Sequence, residues 1–146
     1  MVSPVDQGTL NRLRQGVVFA DFAELSITAP YLGKSGVSIS FRGPTGQLLP
    51  TLTGGVRSSE PYVMAEVTMH LLKSQALSAA FKTAMELNSN VGSVSVIGDA
   101  DTLPAYNLEN CILTGVDALD FSGTSSDFVV KLEGIYYVNQ TIWNAS

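Results

Sequence analysis

Imidazole and thiolate chemistry in this chain rests on His70 and Cys111, because 146 residues contain one histidine and one cysteine. A zinc tetrahedron needs four converging nitrogen, sulfur or carboxylate ligands, and this pair falls short of it without acidic help. Asp99-Ala-Asp101 sets two carboxylates two residues apart. The twelve-residue calcium loop with its glycine and distal glutamate is missing, so the segment reads as a hydrated turn. Serines and aspartates are plentiful, yet no G-x-S-x-G elbow presents a nucleophile. Neither a GxxxxGK[ST] nor a GxGxxG phosphate cradle follows any strand pattern. Glu66, Glu109 and Glu133 fall on separate strands, which leaves their mutual distance, and with it any acid and base pair, undefined by the sequence. The expectation is a chain with no catalytic residue, no metal site and no cofactor. His70 then reads as a wall residue hydrogen-bonded to a neighbour or to water, and Cys111 as a small buried hydrophobe in an apolar run.

The elements that would carry these residues are mainly strands. Residues 17–29 alternate Leu25 and Ile27 with Glu24, Ser26 and Thr28, which predicts one or two half-buried strands. After a turn over 30–35, GVSISFR (36–42) sets Val37, Ile39 and Phe41 against Ser38, Ser40 and Arg42, one face dry and the other wet. Tyr62 to Leu72 repeats the pattern, with Val63, Ala65, Val67, Met69 and Leu71 opposed to Glu66, Thr68 and His70. Ser74 is placed to cap a helix in which Leu77, Ala80, Phe81 and Ala84 recur at helical spacing, with an end near Asn88 to Gly92, where asparagine and glycine suit a left-handed cap. Strands follow at 93–98, at 106–121 with a bend at Gly115, and at 127–139 after a turn at 123–126.

Residues 43–61, GPTGQLLPTLTGGVRSSEP, show no sustained period and exceed the usual limit of about 12–15 residues for an unstructured loop. Two readings stand: a contact segment using Leu48, Leu49 and Leu52, or a surface flap or short hairpin around Gly54-Gly55. The sum is a single domain over 1–146, mainly β with one α-helix, an antiparallel sandwich or barrel of six or seven strands with a long loop between the second and third.

Bulk composition narrows the partners. A net charge of −5 argues against a surface that grips nucleic-acid phosphates by counterion release. Only 14% of residues are charged while 45% are hydrophobic, which suits large contacts between copies. No positively charged start is followed by an apolar run and no 18-residue apolar stretch occurs, so neither export by a signal peptide nor membrane insertion is expected.

From residue 60 to 143 the order of elements and several word-like fragments resemble the tail tube proteins of contractile-tailed bacteriophages. The resemblance lies in the strand ending Leu71-Leu72-Lys73-Ser74, the helix through Ala84, the short VGSVSVIGD strand, YNLENC, and the closing hairpin ending in Gly134-Ile-Tyr-Tyr-Val-Asn139. The first 60 residues fit the layout without a diagnostic motif. It implies a β-sandwich of the phage tail tube type, assembled as six-membered rings stacked into a hollow tube for genome DNA. The implied partners are further copies of the chain, the tail sheath, tape measure protein, baseplate and tail terminator. The implied location is the virion tail, assembled in the host bacterial cytoplasm.

On that resemblance the wet strand faces line the channel through Ser38, Ser40, Glu66, Thr68, His70, Glu109 and Glu133, where carboxylates would let DNA slide without specific binding. Lys131, Val129, Ile135 and Tyr137 share the last strand's wet parity and make that part mixed. Contacts between subunits or rings fall to Leu48, Leu49, Leu52, Ile135, Tyr137 and Trp143, with the arm 1–16 and the loop 43–61 reaching adjacent copies. Two other expectations stand beside it: a secreted-tube component of a bacterial contractile injection system, and a small β-sandwich ligand-binding module.

Overall fold

The computed structural model describes residues 5 and 7–144, so part of the expected arm 1–16 lies outside the described residues. The described residues hold eight strands: β1 (Gly16–Phe19), β2 (Leu32–Arg42), β3 (Gly46–Pro50), β4 (Gly55–Ser59), β5 (Tyr62–Leu72), β6 (Asn90–Ile97), β7 (Tyr106–Val116) and β8 (Asp127–Tyr137). Their one α-helix, α1 (Ala76–Leu87), connects β5 to β6. Six strands form one sheet in the order β1-β6-β7-β8-β5-β2, every neighbouring pair antiparallel. It curls into a half-barrel, and the architecture is the mainly β, one-helix class expected from the sequence.

Period-two alternation decides which face is dry. Val63, Ala65, Val67, Met69 and Leu71 on β5 are buried, and they pair in register with β8 so that Val67 faces Leu132 and Met69 faces Val130. The helix supplies the lid. Leu77 and Phe81 enter the core, and the Phe81 ring meets Phe19 edge-on at 5.7 Å. Burying two such side chains is worth about 1.5–3 kcal/mol each, enough to dock a helix of marginal intrinsic stability. No helix among the described residues is long and apolar enough to cross a membrane.

Several local expectations are corrected. Ser74 does not cap α1; the N-cap position is Gln75 with no side-chain cap bond, and the Ser78 hydroxyl instead donates to the Leu72 carbonyl at 2.8 Å. The helix ends at Asn88 in extended backbone, its amide donating to Ala84, so no left-handed cap is used. Within 17–29 only β1 is a full strand; residues 23–25 form a 3-10 turn, and Ile27 returns to pair singly with Val17. The turn placed at 30–35 overlaps β2, which starts at Leu32 and carries an irregularity between Leu32 and Val37. Gly115 does mark a break, at φ +152 beside a register shift between Leu113 and Gly115, and pairing ends at Val116.

The segment 43–61 is not irregular. β3 and β4 pair from Gly46–Ser59 to Pro50–Gly55, and the Thr51 amide donates to Gly54 to close the turn. Its residues lie outside the main sheet and are exposed throughout both strands. Of the readings left open for this segment, the short hairpin around Gly54-Gly55 is the one observed; periodicity alone does not reveal its strands, because neither of their faces is buried and no hydrophobic alternation is imposed on them.

Candidate functional site

The residues with most chemical potential are separated by the sheet itself. Cys111 faces the dry side and is 1% exposed, as expected of a small buried hydrophobe. Burial, reinforced by the nearby Glu109 charge, pushes its thiol up to about 12, so it stays protonated and unreactive at neutral pH. His70 lies on the opposite face, across from Val129, and its buried Nδ1 has no hydrogen-bond partner among the described residues. At Asp99-Ala-Asp101 the turn is held through its backbone: Asn11 donates to the Asp99 carbonyl at 2.8 Å, and the Arg14 guanidinium donates to the Gly98 and Ala100 carbonyls at 2.8 and 2.7 Å. Among the described residues no three His, Cys, Asp or Glu side chains gather as a metal site would require.

Strand register does bring the wet-face residues together. Ser40 faces Glu66, which faces Glu133; one pair along, Ser38 faces Thr68, which faces Lys131. Glu109 joins this surface opposite Ile135, and the Ser93 hydroxyl donates to its carboxylate at 2.8 Å. All seven residues expected to line a wet surface thus share one face of the sheet, with Ile135 among them.

A cation organises the centre of this face. Glu66 and Glu133 sit directly opposite each other, a placement in which like charges repel. Arg42, at the end of β2, donates through Nη2 to Glu66 and through Nη1 to Glu133 at 2.9 Å, one guanidinium spanning both carboxylates. Its planar fork suits this better than a lysine would. Lys131 pairs with Asp117 at 3.2 Å. The face therefore carries the carboxylates Glu66, Glu109, Asp117, Asp127 and Glu133, and Arg42 and Lys131 pair with three of them, which offsets part of its acidity. Arg42 was visible as a wet-face residue, but its role depends on the β2–β5–β8 order, which alternation within one strand does not encode.

At one end of the half-barrel the β3–β4 hairpin projects from a braced base. The Asn139 side chain donates to the Thr45 and Glu60 carbonyls at 2.7 and 2.8 Å, gripping both legs. Trp143 donates through Nε1 to Pro61 at 3.1 Å and meets Tyr137 edge-on at 5.4 Å. Trp143 and Tyr137, expected at contacts between subunits, thus have a role within their own chain while remaining partly exposed. On the hairpin Leu48, Leu49 and Val56 are exposed, and Leu52 at the tip is fully so at 101%.

The two edges of the sheet differ. β1 is covered in part by the single pairing of Val17 with Ile27, whereas β2 runs eleven residues with a strand on one side only. Gln15 covers part of it by accepting from the Val37 amide through Oε1 at 3.1 Å. From Ser38 to Arg42 no strand among the described residues pairs on that side, which leaves a row of backbone donors and acceptors of the kind that pairs with another chain.

No protein-family model and no curated protein matches the chain. Among solved structures, a chain of the "Virion of native gene transfer agent (GTA) particle" is similar over 89% of this chain and 99% of that one, at a TM-score of 0.59 and 12% identity. A chain from the anti-feeding prophage cap (AFP tube terminating cap) aligns over 93% of this chain and 92% of its own, at 16% identity and a TM-score of 0.45, too distant to carry an argument. The curled six-stranded sheet with its single helix is thus a fold shared, nearly end to end, with a chain of an assembled virion.

Proposed function

We propose that the chain is a structural subunit of a phage tail or related contractile injection device, and specifically the tube subunit, acting by assembly and not by catalysis. Six copies close into a ring, each half-barrel continuing the sheet of its neighbour, and rings stack into a hollow tube. The observation that carries this reading is the open β2 edge on a curled sheet with one wet face. Head-to-tail closure of such edges removes them and leaves the wet faces pointing inward. Exposed leucines on a braced hairpin supply a second contact, and the shared fold with a virion chain supports the same class of work.

In this reading the inner wall holds Ser38, Ser40, Glu66, Thr68, His70, Glu109 and Glu133, with Arg42 tempering the carboxylates. A modest excess of negative charge, repeated around the ring, repels DNA phosphates at close range. Further copies, a sheath, a tape measure protein, a baseplate and a terminator are the partners, and the virion tail is the location.

Negative-stain microscopy of the purified chain, alone and with an initiator complex, is the test. Rings or hollow tubes are the expected result. A monomer that stays dispersed at high concentration and does not polymerise on the initiator overturns the proposal. For the wall, Glu109→Gln, at a carboxylate that forms no ion pair among the described residues, leaves tubes intact and impairs genome delivery; undiminished infectivity refutes the acidic lining.

A further inference from the structure

The helix and the start of β6 enclose an apolar groove of about 490 Å³, lined by Phe22, Leu25, Ala80, Ala84, Leu87 and Val91. It lies well inside the size range of pockets that hold a specific occupant, roughly 300–1,000 Å³. Glu24 and the polar side chains of Asn88 and Asn90 edge it. Leu87 stands 82% exposed at the end of the helix, where it rims the groove.

The hairpin carries the matching features. Leu48 and Arg57 sit directly opposite each other and share one hairpin face, with Leu52 beyond them at the tip. Arg57 is the only charged residue between 46 and 59. Among the described residues neither Arg57 nor Glu24 forms an ion pair. One side thus presents two leucines beside a lone cation, and the other an apolar trough beside a lone carboxylate. In its own chain the hairpin leaves the Tyr62 end of β5, whereas α1 begins beyond the Leu72 end. Knob and socket are separate patches, which is the arrangement of a head-to-tail contact between copies.

We propose that the groove beside α1 receives the hairpin tip of a second copy of this chain, with Leu48 and Leu52 seated on the apolar floor and Arg57 paired to Glu24. This rests on the self-assembly proposed above and names the surface that the protruding leucines engage. The Asn139 grip then has a purpose: it holds the arm rigid before docking, which lowers the ordering cost of the contact.

Disulfide trapping in the 146-residue chain tests it. Leu52→Cys and Leu87→Cys are made in separate proteins, mixed, assembled, oxidised and blocked with a thiol reagent before denaturation; the native Cys111 is buried and stays silent. The mixed 52–87 dimer should exceed a control pairing of Leu52→Cys with Phe121→Cys, another exposed site, by at least about tenfold, given the close Cβ approach a disulfide demands. Arg57→Glu or Glu24→Arg alone should slow assembly, and the two together should restore it. Tubes that form with equal trapping at both sites, or without charge-swap rescue, overturn the groove assignment while leaving self-assembly standing. A chain that forms no assembly at all overturns the underlying reading and this one with it.

Discussion

Arg42 offers the sharpest test of how the wet face is built. Replacing it with methionine keeps most of the apolar stem and removes the charge that spans Glu66 and Glu133. Directly opposed residues on paired strands have Cβ atoms about 4.5–5.5 Å apart. Two unit charges 5 Å apart repel by about 0.8 kcal/mol in bulk water and about 3 kcal/mol at an effective dielectric of 20. The two carboxylate side chains are 22% and 20% exposed, between those limits, while Arg42 is 57% exposed and well screened. Each lost ion pair is worth at most about 1 kcal/mol at such a surface. Arg42→Met should therefore cost about 1–2 kcal/mol, read as a drop of about 0.5–1 M in the urea midpoint for a slope typical of small domains. The assay is urea unfolding at a concentration too low for assembly, repeated in high salt, where the cost should shrink. Adding Glu133→Gln removes one of the repelling charges and should recover about half of the loss or more. A loss below about 0.3 kcal/mol, or a double variant no better than the single one, refutes the claim that Arg42 organises this face.

Three further outcomes follow from named contacts. A Cβ at Gly134 would lie 2.5 Å from the Cys111 sulfur and 3.1 Å from the Leu108 Cβ, so Gly134→Ala should destabilise by about 1–3 kcal/mol by overpacking. Thermal melts should show that adding Cys111→Ala, which removes the obstructing sulfur, recovers part of this. Because the folded Cys111 thiol is held up to about 12 while the unfolded chain releases that proton near its ordinary value of 9.0, the unfolded state binds fewer protons between those values. Stability should accordingly fall across that window by up to about 1.4 kcal/mol per pH unit, a slope that disappears in Cys111→Ala when urea midpoints are compared. Asn139→Ala removes both bonds to the hairpin legs, and hydrogen exchange within 46–59 should accelerate at least about tenfold while the amides of β5 and β8 are unchanged.

The strands with one buried face were legible because burial imposes a strict period of two. β5 matched its alternation from Tyr62 to Leu72, and the helix was visible through Leu77 and Phe81. Where burial is two-sided or absent, that signal vanishes. Each strand of the β3–β4 hairpin is exposed throughout, so its three leucines looked like a loop with a reason to touch something. The Ser74 cap failed for a different reason. Propensity ranks serine as a good cap, but in this chain the residue that reaches back to the preceding strand is Ser78, and helix start positions shift by a residue or two under such tertiary contacts.

The candidate surface shows where sequence reasoning ends. Parity assigned Ser38, Ser40, Glu66, Thr68, His70, Glu109 and Glu133 to one side of their strands, and register joins them on one face. What parity does not carry is which residues become neighbours across the sheet. An acidic wall read as separate carboxylates becomes, in three dimensions, two carboxylates sharing one guanidinium. That difference changes the physics of the proposed channel. Free carboxylates would repel DNA strongly but also each other, straining the sheet; an Arg42 clamp relieves that strain and leaves Glu109, with Asp127 at the start of β8, as the carboxylates of this face without an ion pair among the described residues. If charge governs passage, Glu109→Gln should therefore weaken the repulsion at little cost to folding, whereas changes at Glu66 or Glu133 move stability and wall charge together.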